Sequence, residues 1–189
     1  MVSFGFDSYL SLFQPLSKEA QDAISNVSKF KSLPAKSTLL SEGSVEKDIF
    51  HLNKGLVRGY FHMADREVTL WINYEPSPFG NSESFFQQIP SEINIETVEP
   101  SEITYISYEA WFKLLNEYPE IERISRLISQ ANVQRLYRRI KILHYSTPEE
   151  KYRYLIEHEP EMIQRTPLKF IASYLNITPE TLSRIRAKI

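Results

Sequence analysis

The chain has 189 residues and a formal net charge of −2, with 42% hydrophobic and 13% aromatic residues. This length allows one large domain or two small ones, and the composition is that of a chain with packed cores rather than a disordered one. The chain contains no cysteine, which excludes a disulfide framework, a cysteine-ligated zinc site and an iron–sulfur cluster.

The N-terminal segment predicts two short helices, over residues 6–14 and 17–28. Ser17 suits the capping position of the second helix, and an amphipathic stripe follows it. No basic residue precedes the apolar pieces of this segment, and Asp7 interrupts them, so it does not resemble a signal peptide. No run approaches the roughly 20 apolar residues that span a bilayer. We therefore expect a soluble cytoplasmic protein that does not contact a membrane.

Residues 28–108 alternate between turn signals and segments rich in β-branched and aromatic residues. The predicted strands are Ser37–Ser41, Ile49–Asn53, Leu56–Met63, Glu67–Tyr74, Ile93–Val98 and Ile103–Ser107. The predicted turns include Asn53-Lys54-Gly55, Ala64-Asp65 and Pro76-Ser77-Pro78. Short strands at this spacing predict an antiparallel sandwich or barrel. Residues 81–88 interrupt the pattern and predict a short helix between strands.

Two helices are predicted next, over residues 108–117 and 119–145. The longer helix has apolar residues at the a and d positions of two heptads, which predicts a dimer interface. The interface candidates are Ile121, Ile124, Ile128, Ala131 and, at the next such position, Arg135. Leu136, Ile140 and Leu143 continue an apolar stripe at a shifted angle. The alternative is a helix that packs only within its own chain.

A domain boundary is predicted at Ser146-Thr147. Thr147, Pro148 and Glu150 form a capping-box signature that starts a new helix over residues 148–157. From Arg135 onward the chain has 11 Lys and Arg against 6 Asp and Glu, whereas residues 1–134 have 11 against 18. A basic C-terminal part on an acidic body is typical of a DNA-binding domain joined to another domain.

The C-terminal residues 165–189 predict a helix-turn-helix. Thr166-Pro167 and Thr178-Pro179 each have an N-cap residue followed by a proline suited to the first helical position. Asn176 lies between the two helices and tolerates the left-handed conformation that a tight turn needs. Leu182, Ile185 and Ile189 are predicted to form the apolar stripe of the second helix.

The outward face of the second helix has side chains that can read bases. Glu180, Arg184 and Lys188 recur every four residues; a carboxylate can accept from cytosine and a guanidinium can donate to guanine. The candidate DNA-binding residues, which include phosphate contacts, are Lys169, Thr178, Glu180, Thr181, Ser183, Arg184 and Lys188. The alternative is a pair of surface helices with ordinary solvated charges.

The whole chain resembles the cyclic AMP receptor protein and fumarate–nitrate regulator (Crp/Fnr) superfamily of bacterial transcription regulators. The residues that carry the resemblance are Leu39–Gly43 (LLSEG), Lys54–Phe61 (KGLVRGYF), Phe79-Gly80 and the C-terminal ITPETLSRIRAKI. The resemblance implies an α+β fold: an antiparallel β-roll of the cyclic-nucleotide-binding type with flanking helices (1–118), a long dimerisation helix and hinge (119–146), and a helix-turn-helix domain (147–189). It also implies a homodimer on a pseudo-palindromic double-stranded DNA operator, with RNA polymerase as a further partner.

Two departures from the family pattern stand out. In the recognition helix, Pro179 replaces the Arg of an Arg-Glu-Thr start, while Glu180, Thr181 and Arg184 match. The candidate effector pocket is formed by Phe79, Gly80, Asn81, Ser91 and Glu92. Ser91-Glu92 stands where the family has Arg and Ser or Thr, and no Lys or Arg occurs between Arg66 and Lys113. Because phosphate recognition needs a cation or an array of backbone N–H donors, we do not expect cyclic AMP to bind in the usual way.

No metal site, cofactor or catalytic residue is predicted. The four histidines, His51, His62, His144 and His158, show no metal-ligand spacing and are interpreted as surface or interface residues. No phosphate loop, nucleophile elbow or paired-carboxylate motif is present, so an enzyme is not expected. Two functions stay open: a dimeric DNA-binding regulator with an unknown effector, or a degenerate sensor or protein-interaction module without specific DNA binding.

Overall fold

The structure is a computed structural model, and it describes residues 6–64 and 66–189. The helices are α1 (Phe6–Ser11), α2 (Lys18–Val27), α3 (Ser82–Gln87), α4 (Tyr108–Glu117), α5 (Pro119–His144), α6 (Pro148–His158), α7 (Pro160–Arg165), α8 (Leu168–Leu175) and α9 (Pro179–Arg186). The strands are β1 (Lys29–Leu33), β2 (Thr38–Leu40), β3 (Asp48–Lys54), β4 (Leu56–Met63), β5 (Arg66–Tyr74), β6 (Ser77–Phe79), β7 (Asn94–Thr97) and β8 (Ser101–Ser107).

The strands form two antiparallel four-stranded sheets. Sheet I has the order β1-β8-β3-β6, and sheet II has the order β2-β7-β4-β5. Alternate residues of both sheets point inward and share one apolar core, which includes Phe50, Leu52, Val57, Ile95 and Ile103. The arrangement of β-roll, long helix and C-terminal helices confirms the predicted α+β fold class.

All six predicted strands are present, and two further strands lie at the sheet edges. Strand β6 includes Ser77 and Pro78, so the predicted turn at Pro76-Ser77-Pro78 is right only for Pro76: the chain bends at Glu75-Pro76, between β5 and β6. Pro78 pairs with His51 in the outermost position of sheet I. An edge strand tolerates proline because one side of its backbone has no neighbouring strand to bond. The predicted turn at Ala64-Asp65 includes Asp65, which lies outside the described residues; Ala64 has a φ of 52°.

A second apolar core lies between the N-terminal helices, α4 and the beginning of α5. Ile121 and Ile124 of α5 are fully buried there, together with Leu10, Ile24 and Trp111. The Ser17 side chain accepts a hydrogen bond from the Ala20 N–H and caps α2, as predicted. The first turns of α5 therefore belong to the core of their own chain.

The predicted capping box at the start of α6 is confirmed in both directions. The Thr147 hydroxyl accepts from the Glu150 N–H at 3.2 Å, and the Thr147 N–H donates to the Glu150 carboxylate at 2.9 Å. Helix α7 was not predicted from the sequence. Helix α8 begins at Leu168, one residue later than predicted, with Pro167 at its N-cap position. Thr166 therefore does not cap this helix, and its hydroxyl is buried without a hydrogen-bond partner in the described part of the chain.

The C-terminal helices share a third apolar core that continues onto the outer face of sheet II. Leu155, Ile171, Leu175 and Leu182 are buried in it, and Leu56 of β4 and Ile72 of β5 belong to the same cluster. The helix-turn-helix thus packs on the β-roll of its own chain.

Candidate nucleic-acid interface

The turn between α8 and α9 has the geometry that the sequence predicted. Asn176 ends α8 in the left-handed conformation, with φ 54° and ψ 49°. The Ile177 N–H returns to the carbonyl of Ala172 at 3.0 Å, and the small Ala172 side chain is fully buried. These contacts close the turn tightly and fix α9 against α8. The helix-turn-helix predicted from the sequence is confirmed.

Helix α9 presents a polar face to solvent. The Thr178 hydroxyl accepts from the Thr181 N–H at 3.2 Å and caps the helix. Glu180, Ser183 and Arg184 are exposed. The Arg184 guanidinium donates to the Thr181 hydroxyl at 3.3 Å, so the Arg184 side chain lies along the exposed surface of its own helix.

The predicted four-residue spacing does not persist to Lys188. Helix α9 ends at Arg186, and Lys188 lies in the turn that follows, where its N–H bonds the carbonyl of Ile185 at 3.0 Å. Ile189 is exposed rather than part of the apolar stripe, so that prediction is wrong. Lys188 nevertheless lines the same groove as Arg184. The groove runs between α9 and the start of α6 and is lined by Thr147, Pro148, Glu149, Thr181, Arg184, Ile185 and Lys188.

The exposed face combines one anionic acceptor with several cationic donors. The pKa of Glu180 is lowered, first by hydrogen bonding to its own backbone N–H and then by the Thr178 hydroxyl, so its carboxylate is charged at neutral pH. Lys169, at the start of α8, is exposed as well. Such a surface can accept from a cytosine amine, donate to guanine and contact phosphates. The Thr178 hydroxyl, by contrast, is already used as a cap.

The exposed apolar surface of α5 lies elsewhere than the predicted interface residues. Ile121 and Ile124 are fully buried in their own chain, and Ile128 packs partly against the same core. Arg135 donates to the Ser77 hydroxyl of β6 at 3.3 Å. The α5 exposed stripe, as we call it, is formed by Val133 (59% exposed), Leu136 (62%), Ile140 (54%) and Leu143 (38%). Its spacing of three, four and three residues follows a heptad repeat.

Three of the residues of the candidate effector pocket, Phe79, Asn81 and Ser91, make contacts within the chain. Phe79 stacks on Phe50 with ring centroids 5.3 Å apart. Asn81 caps α3 by accepting from the N–H groups of Glu83 and Ser84, and it donates to the Ser91 hydroxyl at 2.8 Å. Ser91 in turn bonds the carbonyl of Ile93 at 2.7 Å. Glu92, also predicted to line the pocket, is exposed.

A buried carboxyl group that the sequence analysis did not single out lies in this pocket. Glu46 is only 2% exposed, and its side chain accepts a hydrogen bond from the Asn81 N–H. Burial raises the pKa of Glu46 to about 8, against the lowering effect of that hydrogen bond. The sequence around Glu46 gives no sign of burial, because the residue lies in a polar loop between two strands. Glu46 is buried through contact with Asn81, which is 35 residues away in the sequence.

One of the four histidines differs from its predicted position: His62, His144 and His158 are exposed, whereas His51 is not. His51 is fully buried, between the rings of Phe6 and Tyr9 at 5.3 and 4.7 Å. Its Nδ1 lies 2.7 Å from the Asn53 side-chain oxygen, whereas Nε2 has no hydrogen-bond partner among residues 6–64 and 66–189.

Among residues 6–64 and 66–189, no group of three or more His, Asp or Glu side chains could hold a metal ion. In that part of the chain, no helix is both long and apolar enough to cross a membrane.

The fold is similar to solved structures of bacterial regulators. FixK2 from Bradyrhizobium japonicum is 16% identical, with a TM-score of 0.74 over 86% of this chain and 84% of that chain. The c-di-GMP responsive regulator CLP from Xanthomonas campestris is 19% identical, with a TM-score of 0.72 over 91% of each chain. A protein from Eubacterium rectale described as a Crp/Fnr-family regulator is 13% identical, with a TM-score of 0.70 over 94% of this chain and 85% of that chain.

No protein-family model matches the chain, and no curated protein matches its sequence. The likeness to the solved structures confirms the predicted resemblance for the fold, which is that of the Crp/Fnr regulators.

Proposed function

We propose that the chain is a homodimeric, sequence-specific DNA-binding transcription regulator. The observation that carries this proposal is the exposed face of α9, where Glu180 and Arg184 project from a closed helix-turn-helix. Because the base edges of the major groove carry a distinct pattern of donors and acceptors, a carboxylate and a guanidinium on one helix can discriminate between sequences. The solved structures of similar fold belong to regulators, which supports the same function.

The α5 exposed stripe supports the proposed dimer. Four apolar side chains at heptad spacing are solvent-exposed within one chain, and a second copy of α5 offers the complementary stripe. In a dimer, the two α9 helices would enter successive major grooves, roughly 34 Å apart, and the dimer would therefore read a pseudo-palindromic site. The proposed domain organisation is a sensor (1–118), a dimerisation helix with hinge (119–146) and a DNA-binding domain (147–189).

We infer further that cyclic AMP does not bind the β-roll in the usual way. The Asn81 N–H already donates to the buried Glu46 carboxyl group, and no Lys or Arg occurs between Arg66 and Lys113, so the groups that would recognise a phosphate are lacking there. Calorimetry with cyclic AMP should give no heat of binding at micromolar concentrations. Micromolar or tighter binding would contradict this inference.

The experiment that tests the proposed function is selection from a pool of random DNA duplexes, followed by sequencing of the retained fraction. We expect a two-fold-symmetric site. Arg184→Ala should weaken binding to that site by about 1–3 kcal/mol if Arg184 contacts a guanine bidentately. The matched control is Arg153→Ala, because Arg153 is also exposed and pairs with Glu149 of its own helix.

Two outcomes would count against specific DNA binding. Retention that is sequence-blind and abolished by moderate salt would indicate only electrostatic attraction to the phosphate backbone. An enriched site that Arg184→Ala and Arg153→Ala weaken equally would show that α9 does not read it. Either result would favour the second function, a sensor or interaction module without specific DNA binding.

A further inference from the structure

The helix-turn-helix is attached to the edge of sheet II through a serine. Strand β5 is the outermost strand of that sheet. The Ser173 hydroxyl of α8 accepts from the Thr69 N–H at 2.8 Å and donates to the Glu67 carbonyl at 2.9 Å. A neighbouring strand would satisfy these two backbone groups in the same way. One side chain of α8 therefore replaces part of a missing strand.

A cluster of charged groups forms the second contact between the C-terminal helices and the β-roll. The Arg165 guanidinium, at the end of α7, bonds the Glu75 carboxylate at 2.8 Å, the Gly55 carbonyl at 3.0 Å and the Glu99 carboxylate. It also pairs with Glu161 of its own helix at 2.6 Å. Only 23% of the Arg165 side chain is exposed, so these bonds are less screened than surface ion pairs.

An arginine–aromatic stack forms the third contact. Arg58 of β4 is 2% exposed and pairs with Glu67 at 2.5 Å and with Glu96 at 2.6 Å. The Phe170 ring of α8 covers its guanidinium at 3.7 Å. Because both carboxylates belong to the β-roll, the charge of Arg58 is balanced within that domain, and Phe170 contributes the covering surface.

The three contacts use a side of the helix-turn-helix that is not the reading face. Ser173 and Phe170 lie against sheet II, whereas Lys169 of α8 and Glu180 and Arg184 of α9 remain exposed. Residues 145–147, which connect α5 to α6, are not helical. The domain is therefore not joined to α5 by a continuous helix. It is held by docking on the β-roll and by side chains of α5, since Ile142 is buried in the third apolar core and the Arg139 guanidinium lies 3.7 Å from the Tyr174 ring.

We propose that the outer face of sheet II is a docking platform that holds the helix-turn-helix in its DNA-binding orientation, with Arg165 and Ser173 as positioning residues. This inference rests on the proposed DNA-binding function. A domain held in place loses less orientational freedom when it binds, so docking that leaves the reading face exposed raises affinity. In this arrangement the β-roll acts as a rigid support for the reading helix.

The test compares Arg165→Ala and Ser173→Ala with wild-type protein, using the full chain and the duplex that wild type retains. Arg153→Ala is again the matched control, because Arg153 lies in the same domain but bonds Glu149 of its own helix and no described residue of the β-roll. The first readout is hydrogen exchange of β5, where the Thr69 N–H bonds Ser173. The second readout is affinity for the duplex at fixed salt.

We expect faster exchange in β5 for both variants and about tenfold weaker binding for Arg165→Ala, with no change for Arg153→Ala. Arg165→Glu combined with Glu99→Arg should recover part of the affinity lost in Arg165→Glu alone. A helical circular dichroism signal equal to that of wild type would exclude misfolding of a variant. If Arg165→Ala fails to fold, Ser173→Ala still tests the proposal, because it removes only one hydroxyl group.

Unchanged exchange in β5 would overturn the docking, and unchanged or tighter DNA binding would overturn its orienting role. If wild type retains no duplex selectively, the proposed function fails. Hydrogen exchange then still decides whether the domain is docked through Arg165 and Ser173, because that readout needs no DNA.

Discussion

The side chain of Glu46 lies so close to Gly80 that a Cβ atom at Gly80 would be 2.5 Å from a carboxyl oxygen of Glu46. Gly80 has a φ of 154°, which L side chains rarely adopt, so both space and backbone conformation favour glycine there. The Glu46 carboxyl has one backbone N–H donor, from Asn81, and its pKa is raised to about 8 by burial. This raised pKa favours the protonated, uncharged form of the Glu46 carboxyl group at neutral pH.

Glu46→Gln is expected to stabilise the protein at alkaline pH. The folded pKa of Glu46, about 8, is above its ordinary value of 4.5, so its stabilising contribution is complete below about pH 4.5 and is lost as the pH rises toward 8. The loss is on the order of a few kcal/mol. The glutamine side chain has nearly the same shape as that of glutamate, but it cannot ionise. Urea unfolding should show similar stabilities at pH 5 and a more stable variant at pH 8, whereas the exposed Glu92→Gln should follow wild type. A pH-independent difference would contradict this account.

Leu136→Asp is expected to dissociate the dimer without unfolding the chain. Leu136 lies in the middle of the α5 exposed stripe, and each leucine buried in a two-stranded seam contributes about 2 kcal/mol. Two buried carboxylates would add repulsion, so the dissociation constant should rise by at least about 100-fold. Analytical ultracentrifugation measures this directly. Arg138→Asp is the control on the same helix, two residues away and off the stripe. Equal effects of the two substitutions would refute the register proposed here.

Thr178→Ala and Thr166→Val should change stability in different directions. The Thr178 hydroxyl caps α9, and removing such a cap costs about 1 kcal/mol. The Thr166 hydroxyl is buried without a partner, so replacing it with a methyl group should be neutral or stabilising by up to about 1 kcal/mol. Urea denaturation followed by circular dichroism compares the two. A destabilised Thr166→Val would reveal a hydrogen bond at that site.

His51 should stay neutral well below the usual pKa of histidine. Burial lowers its pKa to about 4, although hydrogen bonding to Asn53 opposes the shift. Its stabilising contribution is present above about pH 6.5 and is lost as the pH falls through 4. An NMR titration of the imidazole should therefore place its midpoint near 4. His51→Gln should lose less stability than wild type between pH 6.5 and 4, and a midpoint near 6.5 would show that the ring is solvated.

Much of the fold could be predicted from local pattern. Residues 56–63 include the β-branched and aromatic residues Val57, Tyr60 and Phe61 and lie between turn signals, and β4 has those bounds. Thr147 and Glu150 form a capping box that needs no information beyond four residues. The pattern failed where tertiary position decides the outcome. Pro78 reads as a turn residue, and only its place at a sheet edge makes a strand possible.

The candidate site could be predicted only in part. The exposed residues of α9 follow from helical spacing, because the reading face needs no contact with the rest of the chain. The residues of α5 that form the proposed dimer interface could not be predicted from the sequence. Ile121 and Val133 are both apolar, and only the packing of the fold shows which of them faces the core of its own chain. Glu46 and Arg165 act through contacts with segments about 35 and 66–110 residues away, which no local pattern encodes.

The serine at the edge of sheet II also bears on solubility. An exposed edge strand offers unpaired backbone groups to any other strand and promotes edge-to-edge aggregation. In the full chain, Ser173 occupies two of those groups on β5 and α8 covers the strand. The helix-turn-helix therefore shields the β-roll from strand addition, and a β-roll without that cover would present β5 as a template for self-association.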